Sequence, residues 1–283
     1  MSKASGMIIY FDATSSGTQI LGMASNCKSS MVATNVMPSY DSAGKARRRD
    51  SYLEITEEML KYVDLSDTVL KPDPKERRKQ VKGPCMTVNY GSVQEPKNVF
   101  GEDTTDLAAF YQALNTITPG PMALMELMQS LWDPKKDYLE WEIDGVHAKI
   151  AILDKFIGKV KMTINGKDVS VPFQSIIRQP KDKGLSIAAH VTHFCDSWIK
   201  DYVVKEFKRK GHPITTIHDA FGVHPNDAVF LMDVYKYAMH EFYYQKILQN
   251  ILRQLSGDPT LEIPQMSSAK YSDDILDGKY ALS

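Results

Sequence analysis

Short apolar runs that end in polar groups alternate along this chain with longer stretches carrying apolar residues at helical spacing. Met7 to Asp12 (Met-Ile-Ile-Tyr-Phe-Asp) predicts a short buried strand that delivers Asp12 to its end. Ser15-Ser16-Gly17 turns the chain, and Thr18 to Ala24 starts a helix. Tyr52 to Tyr62 is helical in composition, and Lys71 to Pro74 is a loop punctuated by prolines. Pro121 to Trp132 predicts a helix with proline at its start. Tyr138 to Val171 shifts toward strand, and Asn165-Gly166 between alternating residues signals a two-residue hairpin. Ile214 to His218 is a second short strand, running into Asp219. After Pro225 a helical stripe runs through Leu231, Val234, Ala238 and Phe242, and continues through Leu248, Leu252 and Leu255. Gly257 and Pro259 end it. No internal repeat or low-complexity segment interrupts the pattern.

With 283 residues, 43% of them hydrophobic and 24% charged, the chain can bury a sizeable core as one large domain or two ordinary ones. The net charge of −1 lacks the strong basic balance that announces a nucleic-acid partner. A locally basic cleft on a neutral protein stays compatible with it. Cys27, Cys85 and Cys195 lie far apart with no CxxC pair, which points away from a disulfide framework and toward a reducing, cytosolic setting. Met1 to Gly6 does not read as a signal peptide, and no run approaches the roughly 20 apolar residues of a membrane helix. The expectation is a soluble cytoplasmic protein without a membrane partner.

Asp12 and Asp219 close the two short strands, and carboxylates at strand ends are one way for a rigid sheet to hold divalent metal ions. Magnesium takes hard oxygen ligands, often one or two carboxylates plus substrate phosphates. Taken singly, each aspartate reads equally as an ordinary turn residue. Arg78 and Lys82 stand at helical i, i+4 spacing, so their cations share a face suited to a triphosphate; a solvated basic face gives the same pattern. His190, His193 and Cys195 suggest zinc, but no fourth ligand stands at useful spacing. The Arg47-Arg48-Arg49 run fits either contact with nucleic-acid phosphates or an exposed helix face.

Three segments then carry a family resemblance. Asp12-Ala-Thr-Ser-Ser-Gly-Thr-Gln19 resembles the first palm motif of the phage-type single-subunit DNA-dependent RNA polymerases. Arg78, Lys82, Met86, Thr87, Tyr90 and Gly91 resemble their fingers motif. Ile217-His-Asp-Ala-Phe-Gly222 resembles the second palm motif. Trp141 to Gly145 is similar to the family's Trp-containing turn, Thr192 to Asp196 to its Val-His-Ser-x-Asp stretch, and Lys279 to Ser283 to its C-terminus. The departures are Gly83-Pro84 inside the fingers motif, Ile199 where the family has a histidine, and Ala281-Leu282 in place of an aromatic pair. Proline at 84 predicts either a kink or a helix that starts there, with Arg78 and Lys82 in its lead-in.

The resemblance implies an α+β, helix-rich right-hand polymerase fold with an antiparallel palm sheet and helical fingers. Its palm segments would be 1–40 and 199–283, with fingers at 41–198 and with the thumb and N-terminal domain missing. It implies that Asp12 and Asp219 bind two Mg²⁺ ions and that Arg78, Lys82, Tyr90 and Met86 bind the nucleotide. Lys82 would protonate the departing pyrophosphate, Tyr90 would take part in choosing ribose, and His218 would lie beside the RNA 3′ end. Gly17 and Gln19 would support the Asp12 turn. The implied partners are ribonucleoside triphosphates, a DNA template, the RNA product and a second subunit carrying the N-terminal domain and thumb, in an infected bacterial cell. The rivals are a fragment of a family A-type DNA polymerase and a non-catalytic nucleic-acid-binding subunit. Ser16-Gly17, Met86-Thr87 and Ala220-Phe221-Gly222 argue against the first. Asp12, Lys82, Tyr90 and Asp219 argue against the second.

Overall fold

The structure is a computed structural model that describes residues 6–133, 135–151, 153–180 and 186–283. The chain runs β1 (Ile9–Asp12), α1 (Ser16–Ala24), α2 (Lys28–Ala33), α3 (Ser51–Met59), α4 (Pro74–Val88), α5 (Gln94–Phe100), α6 (Thr105–Ile117) and α7 (Pro119–Ser130). Four strands follow: β2 (Tyr138–Ile143), β3 (Val146–Ala151), β4 (Leu153–Ile164) and β5 (Lys167–Pro180). It closes with α8 (Ile187–Lys210), β6 (Ile214–Ile217), β7 (Ala220–Val223), α9 (Ala228–Tyr244), α10 (Ile247–Ser256) and α11 (Ser272–Leu276). This is an α+β fold, rich in helix, with three small antiparallel sheets among the described residues. No helix among them is long and apolar enough to cross a membrane.

The sheet that matters most has strand order β1-β7-β6, with Asp12 opposite Ala220 and Ile217 opposite Ala220 on the other side. His218 and Asp219 therefore form the two-residue loop between β6 and β7, and His218 takes a positive φ of 54°. A bulky residue in that region is uncommon, and such positions cluster at functional sites. Side chains alternate across a strand, so Phe11, Phe221 and Val223 face the core while Tyr10, Asp12, Gly222 and Ile217 share the outer face. The buried strand expected over Met7 to Asp12 is thus covered on one face only. Met7, Ile8 and Tyr10 are exposed.

Two apolar clusters sit behind the site. One is built from α1, α8, α9, α10, the sheet and β2; the other joins α3, α4 and α6 through Ile55, Met59, Val81, Cys85, Val88 and Phe110. The segment 41–198 contributes to both clusters, because Leu139, Trp141 and the apolar face of α8 belong to the first. Helix α1 is buried from Ser16 to Met23 and packs on α2, α7, α8 and α10. That explains a short helix with almost no charge.

The Asn165-Gly166 hairpin forms, with φ of 51° and 74° at its two loop residues, the positive values a two-residue turn of this kind needs. Two expectations change. Of the two readings of Pro84, the start there is overturned: α4 begins at Pro74, where Asp73 caps Lys75 and Glu76 and Pro74 occupies the first turn, and it runs on through Pro84. The helix expected to run on past Phe242 breaks at Lys246, which adopts φ 53°. This turns Ile247, Leu248, Ile251, Leu252 and Leu255 of α10 into the core.

Candidate active site

A cleft of about 480 Å³ opens between the end of the three-stranded sheet, the cationic face of α4 and one face of α8. Asp12, Arg78, Lys82, Met86, Tyr90, His218 and Asp219, each singled out by sequence, all line it. On α4, Arg78, Lys82 and Met86 recur every four residues, so one stripe of the helix faces the cleft while Val81, Cys85 and Val88 face the core.

The start of α1 and the end of α4 are locked together. Asn89 Nδ2 donates to Thr18 Oγ1 at 2.7 Å and to the Cys85 carbonyl at 3.1 Å. Gly17 lies against the same pair: a Cβ there would be 3.4 Å from both Asn89 Cβ and the Tyr90 hydroxyl oxygen, in van der Waals contact. Behind Asp12, Gln19 Nε2 donates to Thr14 Oγ1, Thr34 O and Ala281 O at 3.0, 3.0 and 2.9 Å, and Tyr235 donates to Gln19 Oε1 at 3.2 Å. Residues 281–283 pair with 12–14 through Asp12 N to Ser283 O (3.1 Å), Ser283 N to Asp12 O (2.9 Å) and Thr14 N to Ala281 O (3.1 Å). Ala281 and Leu282 are buried, so small and branched apolar groups anchor this segment without an aromatic pair. Asp12 is held by β7 on one side and by this segment on the other.

Helix α8 supplies His193 and Asp196, which lie in the Thr192 to Asp196 stretch, together with Ser197 and Lys200, which the sequence did not single out. His193, Asp196, Ser197 and Lys200 line the cleft at i, i+3, i+4 and i+7, while Val191, Cys195, Ile199 and Val203 are buried on the other faces. That polar stripe on an otherwise apolar helix is the signal that finds Asp196 and Lys200. It also gives Ile199 its role, which is packing. The His193 ring sits 4.8 Å from the Tyr90 ring, tilted by 56°. Cys195 is buried on a different face of α8 from His193, which lines the cleft.

The charges divide by wall. Asp12, Asp196 and Asp219 come from the sheet and α8; Arg48, Arg78 and Lys82 come from the α3–α4 side. Burial raises the Asp12 carboxyl, and the charge of Asp219 raises it further, against the Ala13 amide and Lys82. Burial also lifts Asp196 to about 6, with Asp219 adding to the effect and Lys200, Ser16 and His218 opposing it. The Tyr90 phenol is raised by burial, so it remains a hydrogen-bond donor at neutral pH. Arg78 is partly engaged: its Nε bonds the Asp50 carboxylate and its guanidinium lies 5.4 Å from the centre of the Tyr52 ring. The donor set at Asp12 and Asp219 is all oxygen, and their crowding leaves negative charge that a hard divalent cation would relieve. Comparison with protein-family models returned no match, and neither did comparison with curated proteins.

Proposed function

We propose that this chain is the catalytic subunit of a DNA-directed RNA polymerase, transferring ribonucleotides from nucleoside triphosphates to an RNA 3′ end. One observation carries the reading. Two carboxylates from adjoining strand ends face, across a single cleft, two cations four residues apart on one helix, with a tyrosine at that helix's end. The same residues carry the resemblance to the phage-type single-subunit enzymes, so motif and geometry support one assignment. Under it, the three-stranded sheet is the palm and α3 to α6 belong to the fingers.

Asp12 and Asp219 would hold two Mg²⁺ ions, which when bound supply charge for the attacking 3′-oxygen and for the departing pyrophosphate. Lys82 and Arg78 bind the triphosphate, and Lys82 donates a proton to the leaving pyrophosphate. Met86 lies along the same helix face beside the nucleotide. Tyr90, steadied by His193 and by the close contact at Gly17, lies against the nucleotide sugar and favours ribose. His218, held in its tight loop, flanks the RNA 3′ end. A partner surface covering the outer face of the sheet is part of the proposal. The exposed apolar face around Ile8, Tyr10 and Ile217 supports it.

The test is ribonucleotide incorporation on single-stranded DNA with Mg²⁺, by this chain alone and with proteins that co-purify with it. DNA-templated RNA is the expected product. Preference for deoxyribonucleotides would replace the reading with a DNA polymerase, and nucleic-acid binding without incorporation would replace it with a non-catalytic subunit.

A further inference from the structure

The three consecutive arginines at 47–49 meet different fates. Arg49 is neutralised: its guanidinium forks onto Glu54, Nε to Oε1 at 2.5 Å and Nη2 to Oε2 at 2.7 Å. Its backbone is clasped by Asn35, with Arg49 N to Oδ1 at 2.7 Å and Nδ2 to Arg49 O at 3.1 Å. Asn35 is buried, at 3% exposure, and takes a positive φ of 65°. On the other side the Arg47 amide donates to Ser39 O at 2.7 Å, and Asp41 Oδ1 gathers the amides of Ala43 and Lys45 at 2.9 Å each. Arg48 is therefore an exposed side chain on a backbone pinned at both neighbours.

Of the three arginines, only Arg48 lines the main cleft. It also lines an adjoining lobe of about 290 Å³, which meets the cleft at Thr14, Arg48, Tyr52 and Arg78. Among the described residues Arg48 makes no ion pair or side-chain hydrogen bond, whereas Arg78 is paired with Asp50. Asp50, the carboxylate in the lobe, is occupied by Arg78 and by the Leu53 amide. An uncommitted guanidinium thus lines the same cleft as Lys82, where the cleft meets a lobe whose carboxylate is already satisfied. A planar, forked donor matches phosphate oxygens better than a point charge does.

We infer that Arg48 binds the terminal phosphate of the triphosphate substrate, completing with Lys82 a grip that the paired Arg78 cannot provide alone. The inference rests on the nucleotidyl-transfer reading for its substrate but not for its chemistry, which is recognition of a polyphosphate. The test pairs two readouts on the full chain with its co-purifying proteins. The first is the KM for the nucleoside triphosphate, and separately for the template. The second is equilibrium binding of inorganic tripolyphosphate, which needs no turnover. Arg48→Ala should raise the nucleotide KM and the tripolyphosphate Kd about ten- to a hundredfold, the scale of a lost charge-assisted contact. Arg48→Lys should recover part of the loss, and Lys45→Ala, a cation of the same loop outside the cleft, should change neither.

Incorporation by the wild type with a nucleotide KM unchanged in Arg48→Ala would overturn the inference and leave the polymerase reading standing. So would a rise confined to the template KM, which would place Arg48 on a template phosphate. If the wild type incorporates no nucleotide but loses tripolyphosphate on Arg48→Ala, the phosphate site stands and the polymerase reading falls. Tripolyphosphate binding that is absent or indifferent to Arg48→Ala, in a chain without turnover, overturns both.

Discussion

At the scale of single residues, the cleft concentrates three carboxylates whose environments differ. Asp12 and Asp219 crowd each other at the end of the sheet, and that crowding suits cation binding better than stability. Replacing either by asparagine is predicted to lower incorporation by about a thousandfold or more, since metal-borne charge stabilisation is worth several kcal/mol. The folded chain should survive, with a Tm equal to or above the wild type. Asp196 makes a different prediction. Its carboxyl ionises near 3.8 when unfolded and at about 6 when folded, so between those values the folded chain retains a proton that the unfolded chain has lost. Stability therefore falls as pH rises through that window. Asp196→Asn should remove this dependence, gaining up to about 3 kcal/mol over wild type at pH 7.5 and nothing near pH 3.5. Denaturant unfolding in chelator at the two pH values measures it; an equal effect at both would contradict the assignment. Asp12 and Asp219 were legible in the sequence because each closes a short apolar run. Asp196 lies mid-helix, where the weak resemblance of Thr192 to Asp196 and the contrast between its polar stripe and the buried Cys195 and Ile199 point to it.

Elements show where local rules hold and where tertiary packing overrides them. The Asn165-Gly166 turn follows from residue type and spacing, whereas the strand expected over Ile214 to His218 stops at Ile217 and leaves His218 in a two-residue loop at positive φ. Nor does the course of α4 follow from local rules. Pro84 removes an amide donor from the helix interior, yet caps at one end and burial of Val81, Cys85 and Val88 hold the helix through it. Pro84→Ala should therefore stabilise the chain by about 1 kcal/mol or more, read as a higher denaturation midpoint, with the cleft unchanged. A lower midpoint would mean that the ring's contacts outweigh the missing hydrogen bond. In the sheet, Gly222 lies between Tyr10 and Thr215, and a Cβ there would come within 2.7 Å of the Tyr10 ring and 2.6 Å of the Thr215 methyl. Gly222→Ala should cost about 1–3 kcal/mol. Truncating Tyr10 to alanine in the same chain should return part of it, and a cost that stays whole in the double variant would place the clash elsewhere. The break at Lys246 was not legible, because the apolar stripe of α9 carries into α10 with only the backbone turn between them.

For the whole molecule, the cleft exists because distant segments converge on Asp12. Strand β7 pairs one edge of β1, residues 281–283 pair the other, and Gln19 of α1 bonds Ala281 and Thr14. No local pattern announces such long-range pairing, and the motifs alone gave its location. Two apolar clusters, one behind the sheet and one behind α4, set the walls at a fixed separation, so the acidic and basic faces meet across a gap of substrate size. The central claim is that this gap performs metal-dependent nucleotidyl transfer from its two strand-end aspartates. The most direct measurement is extension of an RNA 3′ end by one ribonucleotide on a DNA template with Mg²⁺, comparing wild type and Asp219→Asn, each with the co-purifying proteins and at matched nucleic-acid occupancy. The account predicts extension by the wild type and its loss, by about a thousandfold or more, in the variant. Equal extension by both, or none by a wild-type assembly that binds the hybrid and the nucleotide, would contradict it.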